Sequence, residues 1–206
     1  MSQYASRHLE NAIRAIGQLP GIGRKSALRI ALFLIKQKDT VLPELIDGLN
    51  GIKHHIHHCK TCHNLSDGDL CGICSNASRH HHTICLVESE RDLIAIEDTG
   101  QYHGVYHVLG GVISPIDGIG PQDLHIASLV ERVKSGEIKE LIMAISPTIE
   151  GETTIFYLGK LLKPYPVRVS IIARGVSFGG ELEYADGLTL GRSIMARTNI
   201  ELAENA

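Results

Sequence analysis

The sequence predicts a multi-module α+β chain: helices first, then a four-cysteine metal knuckle, then a parallel α/β domain and a short C-terminal segment. Three observations carry this. Four of the five cysteines fall in one 16-residue window, as the C-x2-C pairs Cys59/Cys62 and Cys71/Cys74. Before that window, apolar residues recur at helical spacing. After it, short apolar runs alternate with helical stretches, the pattern of a parallel sheet with helices on both faces. A chain of 206 residues has room for one ordinary domain and one or two small modules.

The first helix is predicted over residues 6–17, where Leu9, Ala12, Ile13 and Ile16 share a face and Gly17 ends it. Leu19-Pro-Gly-Ile-Gly23 follows, and a second helix runs to about Lys36. Two helices joined by so tight a turn make a helix-hairpin-helix. Gly21 and Gly23 carry no side chain, so a phosphate can approach the backbone N–H groups of the turn and of the next helix. Lys25 and Arg29, four residues apart, add charge on one face of that helix. Contacts of this kind read the nucleic-acid backbone and carry little sequence preference. An ordinary helical hairpin is the plainer alternative. Gly-Ile-Gly-Arg-Lys-Ser26 resembles the end of a P-loop, but the spacing is wrong and no strand precedes it. Charge supports the nucleic-acid reading: residues 1–53 hold eight Lys/Arg against four Asp/Glu, and the remainder twelve against nineteen.

A third helix is expected from Val41 to Lys53, with Leu42, Leu45, Ile46, Leu49 and Ile52 on its buried side. It leads to the cysteines. Two C-x2-C pairs supply the four thiolates of a tetrahedral structural zinc site. Disulfides or a redox pair are the competing readings. Residues 1–14 lack the apolar core of a secretory signal, which favours a reducing, cytoplasmic location, and a redox pair needs no matching second pair. No apolar run approaches the roughly 18 residues that span a bilayer. Histidines crowd the knuckle (His54, His55, His57, His58, His63, His80, His81 and His82). With four sulfurs already in place, they are expected as exposed or outer-shell groups.

Strands are predicted at 83–87, 105–109, 140–145 and 167–173, and helices at 90–99, 122–135 and 152–163. Cys85 falls within the first strand, as a core residue. Ligands of such sheets sit beyond the carboxyl ends of the strands. Glu88 and the stretch Ser146-Pro-Thr-Ile-Glu-Gly-Glu152 lie there, with Gly110, Gly111 and the Gly118–Pro121 loop between them in sequence.

Glu88 after an apolar strand, followed much later by x-P-x-x-E-G-E, resembles the toprim domain of topoisomerases, primases and small nucleases. That resemblance implies a Glu general acid/base and an aspartate pair holding magnesium, the hard oxygen ligands that phosphoryl transfer needs. Here the aspartate places are Ser146 and Thr148, so the resemblance implies a toprim fold without toprim catalysis. A magnesium-dependent nuclease or primase-like enzyme using Glu88, Glu150 and Glu152 is the rival expectation.

The order of hairpin, four-cysteine zinc motif, toprim domain and Arg174-Gly-Val-Ser-Phe-Gly-Gly-Glu-Leu-Glu-Tyr-Ala-Asp-Gly187 resembles the RecR family of bacterial recombination mediators nearly end to end. Ser177, where the family usually has Pro, and the His-rich flanks are its departures. The family's C-terminal region is compared with a Walker B element. Ser170–Arg174 ends without the acidic residue, and no Walker A is present, so ATP hydrolysis is not expected. The resemblance implies a DNA-binding hairpin module at 1–53, a zinc-finger motif at 54–82, a toprim domain at 83–175 and a Walker-B-like oligomerisation segment at 176–206, with zinc fixing the angle between hairpin and sheet. It also implies a non-enzymatic role in DNA repair: a homotetrameric ring or clamp on single- or double-stranded DNA. RecO, and in many bacteria RecF, are its implied partners in loading the RecA recombinase onto single-stranded DNA. Gly21, Gly23, Lys25 and Arg29 become the DNA contacts, and Glu88 and Glu150 candidate partner contacts.

Overall fold

The structure, a computed structural model, describes residues 6–176 and 179–198. Ser177 and the chain beyond Thr198 lie outside the described residues. The chain divides into two compact units, Met1–His57 and His58–Ala206.

The first unit is helical. α1 (Arg7–Ile16) starts where the Ser6 hydroxyl accepts the Leu9 N–H at 3.3 Å and stops at Gly17. α2 (Arg24–Lys36) packs on it through Ile13, Ala27 and Ala31, with Leu9, Ile16, Ile22 and Leu28 around them. Two alanines at the contact let the helices approach closely. α3 (Val41–His55) departs from expectation, because none of its side chains is buried. Leu49 is 56% exposed and Ile52 61%, and Leu45 and Ile46 are exposed too. The periodicity of an apolar face says that something covers it, not that the same chain does.

In the second unit, the two-residue strands β1 (His57–His58) and β2 (Leu65–Ser66) bracket Cys59 and Cys62. The main sheet follows: β3 (His80–Val87), β4 (Gly104–Val108), β5 (Glu140–Ala144) and β6 (Arg168–Ile171), in the order β4-β3-β5-β6 and all parallel. Alternate residues of the central strands face opposite cores. Ile84, Leu86, Leu141 and Met143 pack under α5 (Ile126–Lys134) and α6 (Ile149–Leu162) through Leu129, Val133, Leu158 and Leu162. Cys85, Val87, Tyr106, Val108 and Ala144 pack under Leu93 of α4 (Glu90–Glu97). Burial on both faces is why these strands read as unbroken apolar runs. Cys85 is a core residue, and burial pushes its thiol up to about 12.

Two boundaries differ from expectation for local reasons. The helix expected over 122–135 is broken. A 3-10 turn, η1 (Pro121–Asp123), ends at an extended Leu124 before α5 begins. The break lets His125 donate its backbone N–H to Leu109 O at 2.9 Å and its Nδ1–H to Val108 O at 3.0 Å, at the end of β4. α6 begins earlier than expected, at Ile149, because the Thr148 hydroxyl caps it by accepting the Gly151 N–H at 3.0 Å. A Cβ on Gly151 would lie 2.0 Å from Ser146 O, so only glycine fits there. The C-terminal part carries η2 (Leu182–Tyr184) and α7 (Gly187–Met195).

Candidate functional site

The hairpin turn is built for close approach to its backbone. Gly21 has φ +76°, the left-handed region that favours glycine, and a Cβ on Gly21 or Gly23 would meet no atom within 4 Å. Gly23 is the N-cap of α2 and has no side chain of its own to cap the helix. Lys25 and Arg29 are both exposed on that helix. Arg29 also borders a shallow 660 Å³ depression with Ser26, Ile30, Leu32, Phe33 and Lys36. A helix N-terminus entered through a glycine N-cap, with two exposed cations on the same helix, suits an oxyanion.

Cys59, Cys62, Cys71 and Cys74 come together with their sulfurs all within 4.8 Å of one another. The Cys62 and Cys71 sulfurs are 3.5 Å apart, against about 3.8 Å for two thiolates on one tetrahedral zinc. The Cys74 N–H points at Cys71 Sγ from 3.5 Å. Burial pushes the Cys59 thiol up, but backbone hydrogen bonds from Cys71, Cys62 and Thr61 win and hold it at about 7. A shared hydrogen bond with Cys74, together with burial, pushes Cys62 up instead. Four buried or half-buried thiols contending for protons fit a zinc ion, which would displace those protons and be held by sulfur alone.

Seven of the eight histidines around the knuckle are exposed, as expected, but His63 is not. It is the only non-glycine residue with positive φ (63°) among the described residues. This backbone turn carries its ring inward, where it stacks on His125 at 3.9 Å and meets His107 edge-on at 5.2 Å. Its Nε2–H donates to Ser128 Oγ at 2.7 Å, and that hydroxyl donates to His125 O at 3.0 Å. His107 is fully buried, donates from Nε2 to His125 O at 2.8 Å, and accepts from Arg132 Nη1 at 3.2 Å. The knuckle's backbone joins in where Val108 N–H donates to Cys62 O at 2.8 Å. His63, Ser128, His125, His107 and Arg132 thus clasp the metal knuckle to β4 and α5. In the sequence only His63 stands out; the others are scattered, and only folding assembles them.

At the carboxyl end of the sheet, Glu88 Oε1 accepts the Ser146 N–H at 2.5 Å, tying the end of β3 to the end of β5. Ser146 lies just past β5, and Thr148 is the α6 cap. Neither offers a carboxylate. Glu150 and Glu152 lie in the first turn of α6 and are half-buried. Glu152 is engaged by two guanidinium groups, Arg174 Nη1 and, at 3.5 Å, Arg192 Nη1. One carboxylate of the expected set is therefore paired with arginine and another with a backbone amide. Sequence reasoning does not single out Arg174 and Arg192 as site residues, since nothing local ties them to Glu152.

These features define a class: a toprim protein without the paired catalytic aspartates, carrying a helix-hairpin-helix and a four-cysteine zinc knuckle. Residues 9–51 match the RecR helix-hairpin-helix family, 56–76 the RecR four-cysteine zinc finger domain, 82–173 the Toprim domain and 175–198 the RecR C-terminal family. Recombination protein RecR of Phocaeicola vulgatus is 55% identical over 196 residues, 95% of this chain and 96% of that protein. The RecR proteins of Porphyromonas gingivalis and Parabacteroides distasonis are 54% and 51% identical, each over at least 96% of both chains. The chain belongs to the RecR family of recombination proteins.

Proposed function

We propose that this chain is a non-enzymatic recombination mediator in DNA repair, holding DNA by its hairpin and recruiting proteins by its toprim sheet. The observation that carries the reading is the open turn at Gly21 and Gly23, which leads into α2 through a glycine N-cap, beside exposed Lys25 and Arg29. Contacts to phosphate there give affinity without sequence preference. Residues 1–53 form the DNA module, 54–82 the structural zinc module, 83–175 the toprim domain and 176–206 the C-terminal segment. Glu88 and Glu150, relieved of catalysis, are the partner-facing carboxylates. RecO, and RecF where it is present, are the partners, and the task is loading RecA onto single-stranded DNA in the cytoplasm. Among the described residues no helix is long and apolar enough to cross a membrane.

A tetrameric ring around DNA is the assembly proposed, and the uncovered apolar face of α3 is consistent with burial between copies. The experiment is DNA binding by the Lys25→Ala/Arg29→Ala protein over a salt series. Affinity should fall, and the slope of log K against log salt should shallow by about 2, one per lost phosphate contact. Unchanged affinity and slope would remove the hairpin from the DNA interface. Incubation with labelled DNA and magnesium is the companion assay, and cleavage abolished by Glu88→Gln would replace this reading with an enzyme.

A further inference from the structure

The segment after β6 is held to the sheet in an unusual way. The last backbone hydrogen bond joining it to the sheet, among the described residues, is Ile172 N–H to Met143 O at 3.3 Å. Beyond it, among the described residues, the backbone hydrogen bonds of 174–176 and 179–198 are internal to the segment. α7 buries no side chain, and its Leu188, Ile194 and Met195 are largely exposed. Cavities of 630 and 300 Å³ lie along it, walled by Ile171 and Ile145 on the sheet side and by Leu188 and Met195 on α7. Apolar packing therefore does little to seat it.

Charge does more. Glu152 projects from the first turn of α6, a helix anchored in the core by Thr154, Leu158 and Leu162. Its carboxylate receives Arg174, from the start of the segment, and Arg192, from α7. The two arginines span the segment, and one carboxylate holds both. Seating also has a cost, because Arg174 Nε and Nη2 are buried with no hydrogen-bond partner among the described residues. Buried guanidinium donors without acceptors favour any state that returns them to water.

We propose that Glu152 is an electrostatic latch, and that Arg174 and the α7 segment 179–198 leave the carboxyl end of the sheet when the latch is neutralised or screened. Opening solvates the Arg174 edge and separates Leu188 from the apolar wall of Ile145, Pro147 and Ile172 that faces the same cavity. The Glu152 side chain is 39% exposed and that of Arg192 48%, so ionic strength reaches the pair.

Limited trypsin digestion of the full chain tests this, since an arginine engaged by Glu152 cannot enter the protease's specificity pocket. In Glu152→Gln, cleavage after Arg174 and Arg192 should accelerate about tenfold, as expected for the loss of a charge-assisted contact from a local opening. Cleavage after Arg132, inside the folded domain, should stay unchanged. Raising salt to about 0.5 M should accelerate the same two cuts in the wild type and have little further effect in the variant. Equal rates at Arg174 and Arg192 in the two proteins would overturn the latch, as would a parallel rise at Arg132, which reports general unfolding. Should the variant not fold, the wild-type salt series decides alone: cleavage indifferent to salt overturns the proposal.

Discussion

Burial holds His107 neutral. Desolvation in the clasp between β4 and α5 pulls its imidazole from 6.5 down to about 3. The ring therefore donates from Nε2 and accepts at Nδ1, as its two hydrogen bonds require. In the unfolded chain the same ring titrates near 6.5. Below that pH the unfolded state takes up a proton that the folded state refuses until about 3, so stability is fully present above 6.5 and is lost as pH falls. Between pH 7 and pH 5 this one group should remove about 2 kcal/mol. Urea midpoints of the wild type should fall further over that range than those of His107→Gln. Both proteins keep the zinc ligands, so acid effects on the thiolates cancel in the comparison. Equal slopes would mean that the ring is protonated in the folded state. His107 lies inside a strand legible from the sequence, but its environment comes from His125 and Arg132, and no pairing rule in one dimension brings those together.

At the scale of elements, the zinc knuckle and the broken helix teach opposite lessons. The knuckle is legible because its ligands are close in sequence and chemically unambiguous, and folding has only to close a short loop. Its attachment is not legible, since His63 turns its ring inward through a positive φ that residue identity does not announce. A structural zinc of this kind supplies about 10 kcal/mol or more of folding free energy. Chelation should therefore open residues 58–76, raising amide exchange there and around His125, while the centres of β3 and β5 stay protected. An exchange pattern unaltered by chelation would show that the four thiols do not hold the knuckle. The helix expected over 122–135 shows the limit of periodicity. Apolar spacing runs through Leu124 and His125, yet the bonds from His125 to Leu109 O and Val108 O offset the broken turn. The start of α6 is obscured in the same way, because Ile149 looks like loop until the Thr148 cap is seen.

At the scale of the whole molecule, the uncovered face of α3 states a requirement. Leu45, Ile46, Leu49 and Ile52 form one apolar stripe, and exposed Leu32, Phe33 and Ile35 on α2 add to the apolar surface of the same unit. Contiguous apolar surface of this kind marks an interaction site. With the proposed ring assembly, Leu49→Glu/Ile52→Glu should lower the mass found by sedimentation while leaving the helical circular-dichroism signal intact. An unchanged mass would show that this face is not where copies meet.

By itself the sequence determined the order of modules, the four zinc ligands, the parallel α/β pattern and the loss of the aspartate pair at Ser146 and Thr148. Local spacing carries the first three, and the fourth is legible only against the resemblance to the toprim domain. The tertiary structure alone decided that His63 is clasped by His107 and His125, that α3 keeps its apolar face outward, and that Glu152 is held by Arg174 and Arg192. Each joins groups distant along the chain, or concerns what a face meets once folded. Hydrophobic periodicity and charge say that a partner is required, and only the packed chain says which one it is.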